Sequence, residues 1–196
     1  MKLFNRISRD LSNYTSGTIG TTSTYGIAEH SKNVYVVRKE NKMYKVVMYF
    51  VNTNRCKMML TFPLQGLPVI FLAVSERHIA VTYPSTCPNN ELILYDFVRN
   101  NSQIMHLPVI KVFGVAFLPN GDLLAVADNA IRRFQIKEQK LVPVWSCGSL
   151  NKTPLSVCVG SDGLIYVYMY DTRSITVVSP DGTLKCKSIF GCYNID

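Results

Sequence analysis

An all-β fold built from a repeated four-strand unit is predicted by three features of the sequence. Short runs rich in Val, Ile, Tyr and Phe recur throughout, Asn, Asp, Gly, Ser and Pro clusters separate them, and one pattern returns at a fixed spacing. The pattern is plainest in LPNGDLLAVADN (118–129) and GSDGLIYVYMYD (160–171): a polar tip with a glycine, an apolar run, then a polar stop. Gly121 and Gly163 lie 163 − 121 = 42 residues apart; Arg77 takes the same place 44 residues earlier and Lys32 another 45 residues before that.

Each of the four units has the same plan. The first segments are GIAEH, VIFLAV, FGVAFL and LSVCV, and the second are VYVV, HIAVTY, DLLAVA and LIYVY. The third are MYKVVMYF, ELILYDF, IRRFQI and SITVV, and the fourth are CKMMLTF, SQIMHL, LVPVWSC and TLKCKSI. Four strands in a little over 40 residues is the size of one blade of a β-propeller, whose small sheets need neighbours written in the same pattern to bury their faces. The expectation is one β-propeller-like domain over 1–196, partial or divergent, with an N-terminal segment 1–24 and blades at about 25–64, 67–107, 112–147 and 154–190. MKLFNRISRDL reads as the tail of a preceding blade, so self-association or blades in a longer chain are expected to complete the ring.

Composition limits the class. The chain has 196 residues, 47% hydrophobic and 17% charged, which describes a globular protein. Its longest apolar stretch, LPVIFLAV (67–74), falls far short of the roughly 18 residues of a membrane helix. The opening residues lack the apolar core of a secretory signal, and the six cysteines contain no C-x-x-C pair, so a cytoplasmic, reducing setting without membrane contact is expected. Cys158 and Cys186 fall within strands as small hydrophobes. Residues 1–65 carry ten Lys and Arg against three acids, or +7 of the net +8, which points to an anionic partner.

Two stretches narrow the expectation. GVAFLPNGDLLAVADNAIRRFQI and LSVCVGSDGLIYVYMYDTRSITVVSPDGTL resemble the NHL-repeat family across 112–190. The match rests on Asn120-Gly121, Val126-Ala127-Asp128 and Arg133 in the third unit, and on Asp162-Gly163 and Ser179-Pro180-Asp181-Gly182 in the fourth. The fourth has Met169 and Ser174 where the family has Asp and Arg. The resemblance implies about six blades and a place like that of the C-terminal propellers of tripartite-motif ubiquitin ligases or RNA-binding regulators. No RING or B-box zinc pattern is present, so ligase activity would have to reside outside this sequence.

Catalysis is not expected from the inner-strand segments, which hold one carboxylate, Glu29. Propeller lactonases, the calcium-dependent alternative, hold their ion with acidic and amide groups on such strands. His30, His78 and His106 lack ligand spacing and read as surface or turn residues, and neither a phosphate loop nor a nucleophile elbow occurs. No cofactor or metal site is expected. A recognition module that binds a protein partner through the second-to-third strand loops is the leading expectation, with single-stranded RNA on the basic first unit as the alternative. The candidate binding residues are Arg38, Lys39, Lys42, Tyr44 and Lys45 in the first unit, Asn89 and Asn90 in the longest loop, Asn129 and Arg132 in the third unit, and Tyr170 and Arg173 in the fourth.

Overall fold

The computed structural model describes residues 24–40, 43–51, 53, 55–63, 71–82, 91–109, 112–148 and 153–186. They form sixteen strands in four antiparallel four-stranded sheets, each consecutive along the chain and each a meander. Blade 1 holds β1 (Thr24–His30), β2 (Asn33–Glu40), β3 (Met43–Phe50) and β4 (Cys56–Pro63). Blade 2 holds β5 (Phe71–Val74), β6 (His78–Thr82), β7 (Glu91–Asp96) and β8 (Asn101–His106). Blade 3 holds β9 (Val112–Phe117), β10 (Leu123–Ala127), β11 (Ala130–Lys137) and β12 (Lys140–Cys147). Blade 4 holds β13 (Pro154–Val159), β14 (Ile165–Met169), β15 (Ser174–Val178) and β16 (Leu184–Cys186).

The two glycines that set the period occupy equivalent turns between the first and second strands. Gly121 has φ +85° and Gly163 φ +76°, a region that carries no penalty without a Cβ. Gly121 N–H donates to Leu118 O at 2.9 Å and Gly163 N–H to Gly160 O at 3.0 Å. The preceding side chain completes each turn: Asn120 Oδ1 accepts from Asp122 N–H, and Asp162 Oδ1 from Leu164 N–H. Lys32, in the glycine's place in blade 1, is itself held at φ +62°. In blade 2 the Ser75 hydroxyl accepts from the Arg77 and His78 N–H groups instead.

The first strands are the inner ones. β1 packs on β5, β5 on β9, and β9 on β13, so the blades follow one another around a common axis. Three apolar cores fill the three blade junctions: Val46, Leu60, Ile79 and Tyr95 belong to the first, Leu92, Leu123 and Phe134 to the second, and Leu124, Ile131, Ile165 and Met169 to the third. Fully burying a side chain of this size stabilises the fold by about 1.5–3 kcal/mol. Gly114 on β9 lets two backbones meet, since a Cβ there would lie 2.8 Å from Ser156 Cα and 2.9 Å from Val157 N.

Burial reports the position of each blade. The second strands of blades 2 and 3 are buried at every residue, whereas β14 alternates between buried and half-buried. Its second face, with Tyr166 and Tyr168 beside the exposed Ile175, has no blade against it among the described residues. This corrects two expectations. Cys158 is exposed on that same face, and His78, read as a surface or turn residue, is buried because β6 is covered on both sides. MKLFNRISRDL and the ends of the chain lie outside the described residues.

Candidate functional site

In a meander the turns between first and second strands gather at one end of the sheets, and those between second and third strands at the other. At the first end, the turns of blades 2, 3 and 4 and the last residue of β1 come together. His30, Ser75–His78, Phe117–Asp122 and Val159–Ser161, with Gln135–Lys137 of β11, line a cleft of about 810 Å³. Most of its polar groups come from the first-to-second strand turns of blades 2, 3 and 4, with His30 at the end of inner strand β1 and Gln135 and Lys137 on β11.

The cleft's electrostatics are mixed. Asp122 is buried and ion-paired with Arg133, whose Nη2 lies 2.6 Å from Oδ2. Burial pulls the pKa of His78 below the ordinary histidine value, with neighbouring Asp96 acting the other way, so its imidazole is neutral at pH 7. Its ring stacks with Phe117, centroids 6.3 Å apart. For Asp96, burial works against ionisation, but the Arg99 and Val98 N–H groups and the charge of Arg77 outweigh it and bring the pKa below the usual carboxylate value. The backbone bonds end at Oδ1, while Oδ2 faces Arg77 at 3.4 Å and His78 Nε2 at 3.8 Å. His30 differs from both. The residue lines the cleft, and its Nε2 is buried with no hydrogen-bond partner, a state that costs free energy. No group of three or more His, Cys, Asp or Glu suited to a metal ion occurs among the described residues.

The described residues among those singled out by sequence lie at the opposite end of the sheets. Tyr44 is core, 2% exposed and 5.5 Å from the ring of Phe62, so it has no face to offer a base. Lys45 is paired with Glu40 at 2.7 Å, and the Arg38 guanidinium sits 5.0 Å from the centre of the Tyr49 ring. Lys39 is half-buried at the end of β2. Asn129 sits exposed in a left-handed turn at φ +59°, and Arg132 pairs with Asp128 at 3.5 Å. Tyr170 projects into solvent, 63% exposed, and its carbonyl accepts from Arg173 N–H. Lys42, Asn89 and Asn90 lie outside the described residues. The structure thus spreads these candidates around a rim, while the cleft is built from turns that the strand-by-strand reading passed over. The available signal was positional: Ser75–His78 and Asn120–Asp122 occupy the period-defining turn.

No family model matches the chain, and no curated protein matches it. Solved structures do. Virginiamycin B lyase from Staphylococcus aureus is 18% identical with a TM-score of 0.61, over 84% of this chain and 55% of that one. A streptogramin B lyase is 17% identical with a TM-score of 0.62, over 86% and 55%. A protein provisionally assigned as a 6-phosphogluconolactonase from Bacteroides uniformis is 14% identical with a TM-score of 0.61, over 85% and 55%. The fold is that of a β-propeller, present here as a four-blade part, and the chain spans about half the length of the structures it matches. The narrower NHL resemblance has no matching family model behind it.

These neighbours overturn the expectation that the chain is not an enzyme. They are lyases and a lactonase-type protein on the same fold, so propeller architecture supplies no ground for the exclusion. The physical error lay in counting carboxylates on inner strands alone. Glu76 and Asp122 reach the cleft from the turns, and His30 and His78 from the ends of β1 and β6.

Proposed function

We propose that the protein works through its axial cleft, which binds a compact polar ligand. The observation that carries this reading is His30, whose Nε2 is buried without a partner, on the wall of a cleft where the turns of blades 2, 3 and 4 meet the end of β1. Clefts of this size that hold a few convergent polar groups are the usual form of a small-molecule site. Arg77 and Glu76 are exposed at the mouth and offer opposite charges, while His30 supplies a hydrogen bond inside. Such a ligand exchanges an unmet hydrogen bond for a made one.

The test is a thermal-shift screen of polar fragments on the wild type and on His30→Ala. Fragments that raise the melting temperature of the wild type should lose most of that effect in the variant. Equal shifts in both proteins would overturn the reading.

A second reading has its own observation. Tyr170, 63% exposed at a turn tip, is the kind of aromatic anchor that protein interfaces use, and it supports recognition of a protein partner through the opposite rim. Tyr170→Ala should then abolish partner binding and leave fragment binding in the cleft unchanged.

A further inference from the structure

At the end of the sheets that carries the cleft, each blade presents a row of three register-matched residues to the next blade. In blade 3 the row is Leu124, Arg133 and Trp145; in blade 2 it is Ala80, Leu94 and Gln103. The two junctions are therefore the same construction with different side chains.

Between blades 3 and 4 the row fills its space. Arg133 pairs with Asp122 at 2.6 Å and donates through Nη1 to Pro180 O at 3.0 Å. Trp145 Nε1 donates to the same carbonyl at 3.0 Å, and its ring packs so closely on Gly182 that a Cβ there would come within 3.0 Å of it. Blade 4's third-to-fourth strand turn is clamped by a guanidinium and an indole.

Between blades 2 and 3 the clamp is missing. Leu94 stands where Arg133 would, and Gln103 where Trp145 would. One long hydrogen bond remains, from Gln103 Nε2 to Gln139 O at 3.4 Å, again to the third-to-fourth strand turn of the following blade. The space left is a cavity of about 120 Å³ bordered by Asp96, Glu138 and Gln139, with Arg77 and Arg99 also on its wall.

We propose that this cavity binds a compact organic cation, a guanidinium or ammonium group on a short carbon chain. The equivalent place one junction further on is filled by a guanidinium held between a carboxylate and a turn carbonyl. Here His78 stands in the place of Asp122, and the carboxylate is its strand partner Asp96, with the carbonyl of Gln139 across the cavity. Asp96 Oδ2 is weakly engaged, with Arg77 at 3.4 Å on a side chain that is 56% exposed and able to swing into water. Glu138 adds a second carboxylate from a left-handed turn at φ +47°. His78 contributes no positive charge while neutral. The volume suits a guanidinium with a few methylenes. This site stands apart from the ligand role of His30, which is not on its wall.

The probe is methylguanidinium, compared with sodium acetate and with sodium chloride at equal ionic strength. Melting is followed by the fluorescence of Trp145, the sole tryptophan. Low concentrations of methylguanidinium should raise the melting temperature and shift the Gln139 amide resonance, while acetate and sodium chloride should do neither. Gln103→Trp, which rebuilds the clamp and fills the cavity, should abolish both effects. Glu138→Gln, at an exposed turn position that leaves the fold intact, should weaken binding about tenfold, the loss of one charge-assisted hydrogen bond. A shift produced by acetate instead, no response to methylguanidinium, or an undiminished response in both variants would overturn the proposal.

Discussion

Gly114→Ala tests how the blades are joined. The added methyl would lie 2.8 Å from Ser156 Cα and 2.9 Å from Val157 N, against ordinary contacts of 3.4–4 Å, and both are backbone atoms that cannot rotate away. β9 and β13 would have to separate by roughly half an ångström or more, and forced overpacking of this kind costs about 1–3 kcal/mol. Alanine stiffens the unfolded chain and returns roughly 0.5–1 kcal/mol. A net loss of about 1–2 kcal/mol remains, equivalent to a urea midpoint lower by about 0.5–1 M. Trp145 reports directly, since its indole bridges blade 3 to the Pro180 carbonyl of blade 4. Gly148→Ala is the control, because nothing lies within 4 Å of a Cβ there. Should Gly114→Ala unfold at the wild-type midpoint with unchanged Trp145 emission, the close approach of the two inner strands is wrong.

Arg133→Leu should destabilise by about 3 kcal/mol, because it strands the buried Asp122 carboxylate and removes a donor from Pro180; denaturant titration measures it. Acid should act through Asp181, whose pKa is lowered to about 2 first by the Ser179 hydroxyl and then by the Thr183 N–H. A depressed carboxylate contributes stability that is present above its unfolded pKa and is lost as pH falls through the folded value, so the window lies between about 4 and 2. Asp181→Asn should flatten the pH dependence of the melting temperature there and lower the melting temperature at pH 7, where the ionised carboxylate's contribution is fully present. With Tyr44 in the core and Lys45 paired, single-stranded RNA should show no measurable binding at low salt. Binding whose salt slope falls by about one unit for each of Arg38, Lys39 and Lys42 changed to Ala would restore a phosphate-binding role for blade 1.

The strands were legible because a half-buried sheet writes its faces two residues apart and glycine marks the left-handed turns. Gly121 and Gly163, named from spacing alone, sit in equivalent turns for that reason. Arg133 was also visible as a repeat feature, but not its work across the junction to Pro180, since a bond between residues 47 apart leaves no local trace. Burial was misread where it depended on neighbours: His78 is covered by the blades around it, whereas Cys158 is not. The cleft was missed because most of its polar groups sit on turns too short to stand out individually, and only the fold brings the turns of blades 2, 3 and 4 to the end of β1.

The most direct measurement of the axial cleft as the functional site is backbone amide shift mapping with a fragment that stabilises the wild-type protein. Binding in the cleft predicts perturbations at Ser75–Arg77, Asn120–Gly121 and Gly160–Ser161, the turns that line it. Perturbations confined to Lys39, Asn129 and Tyr170, at the other end of the sheets, would contradict it.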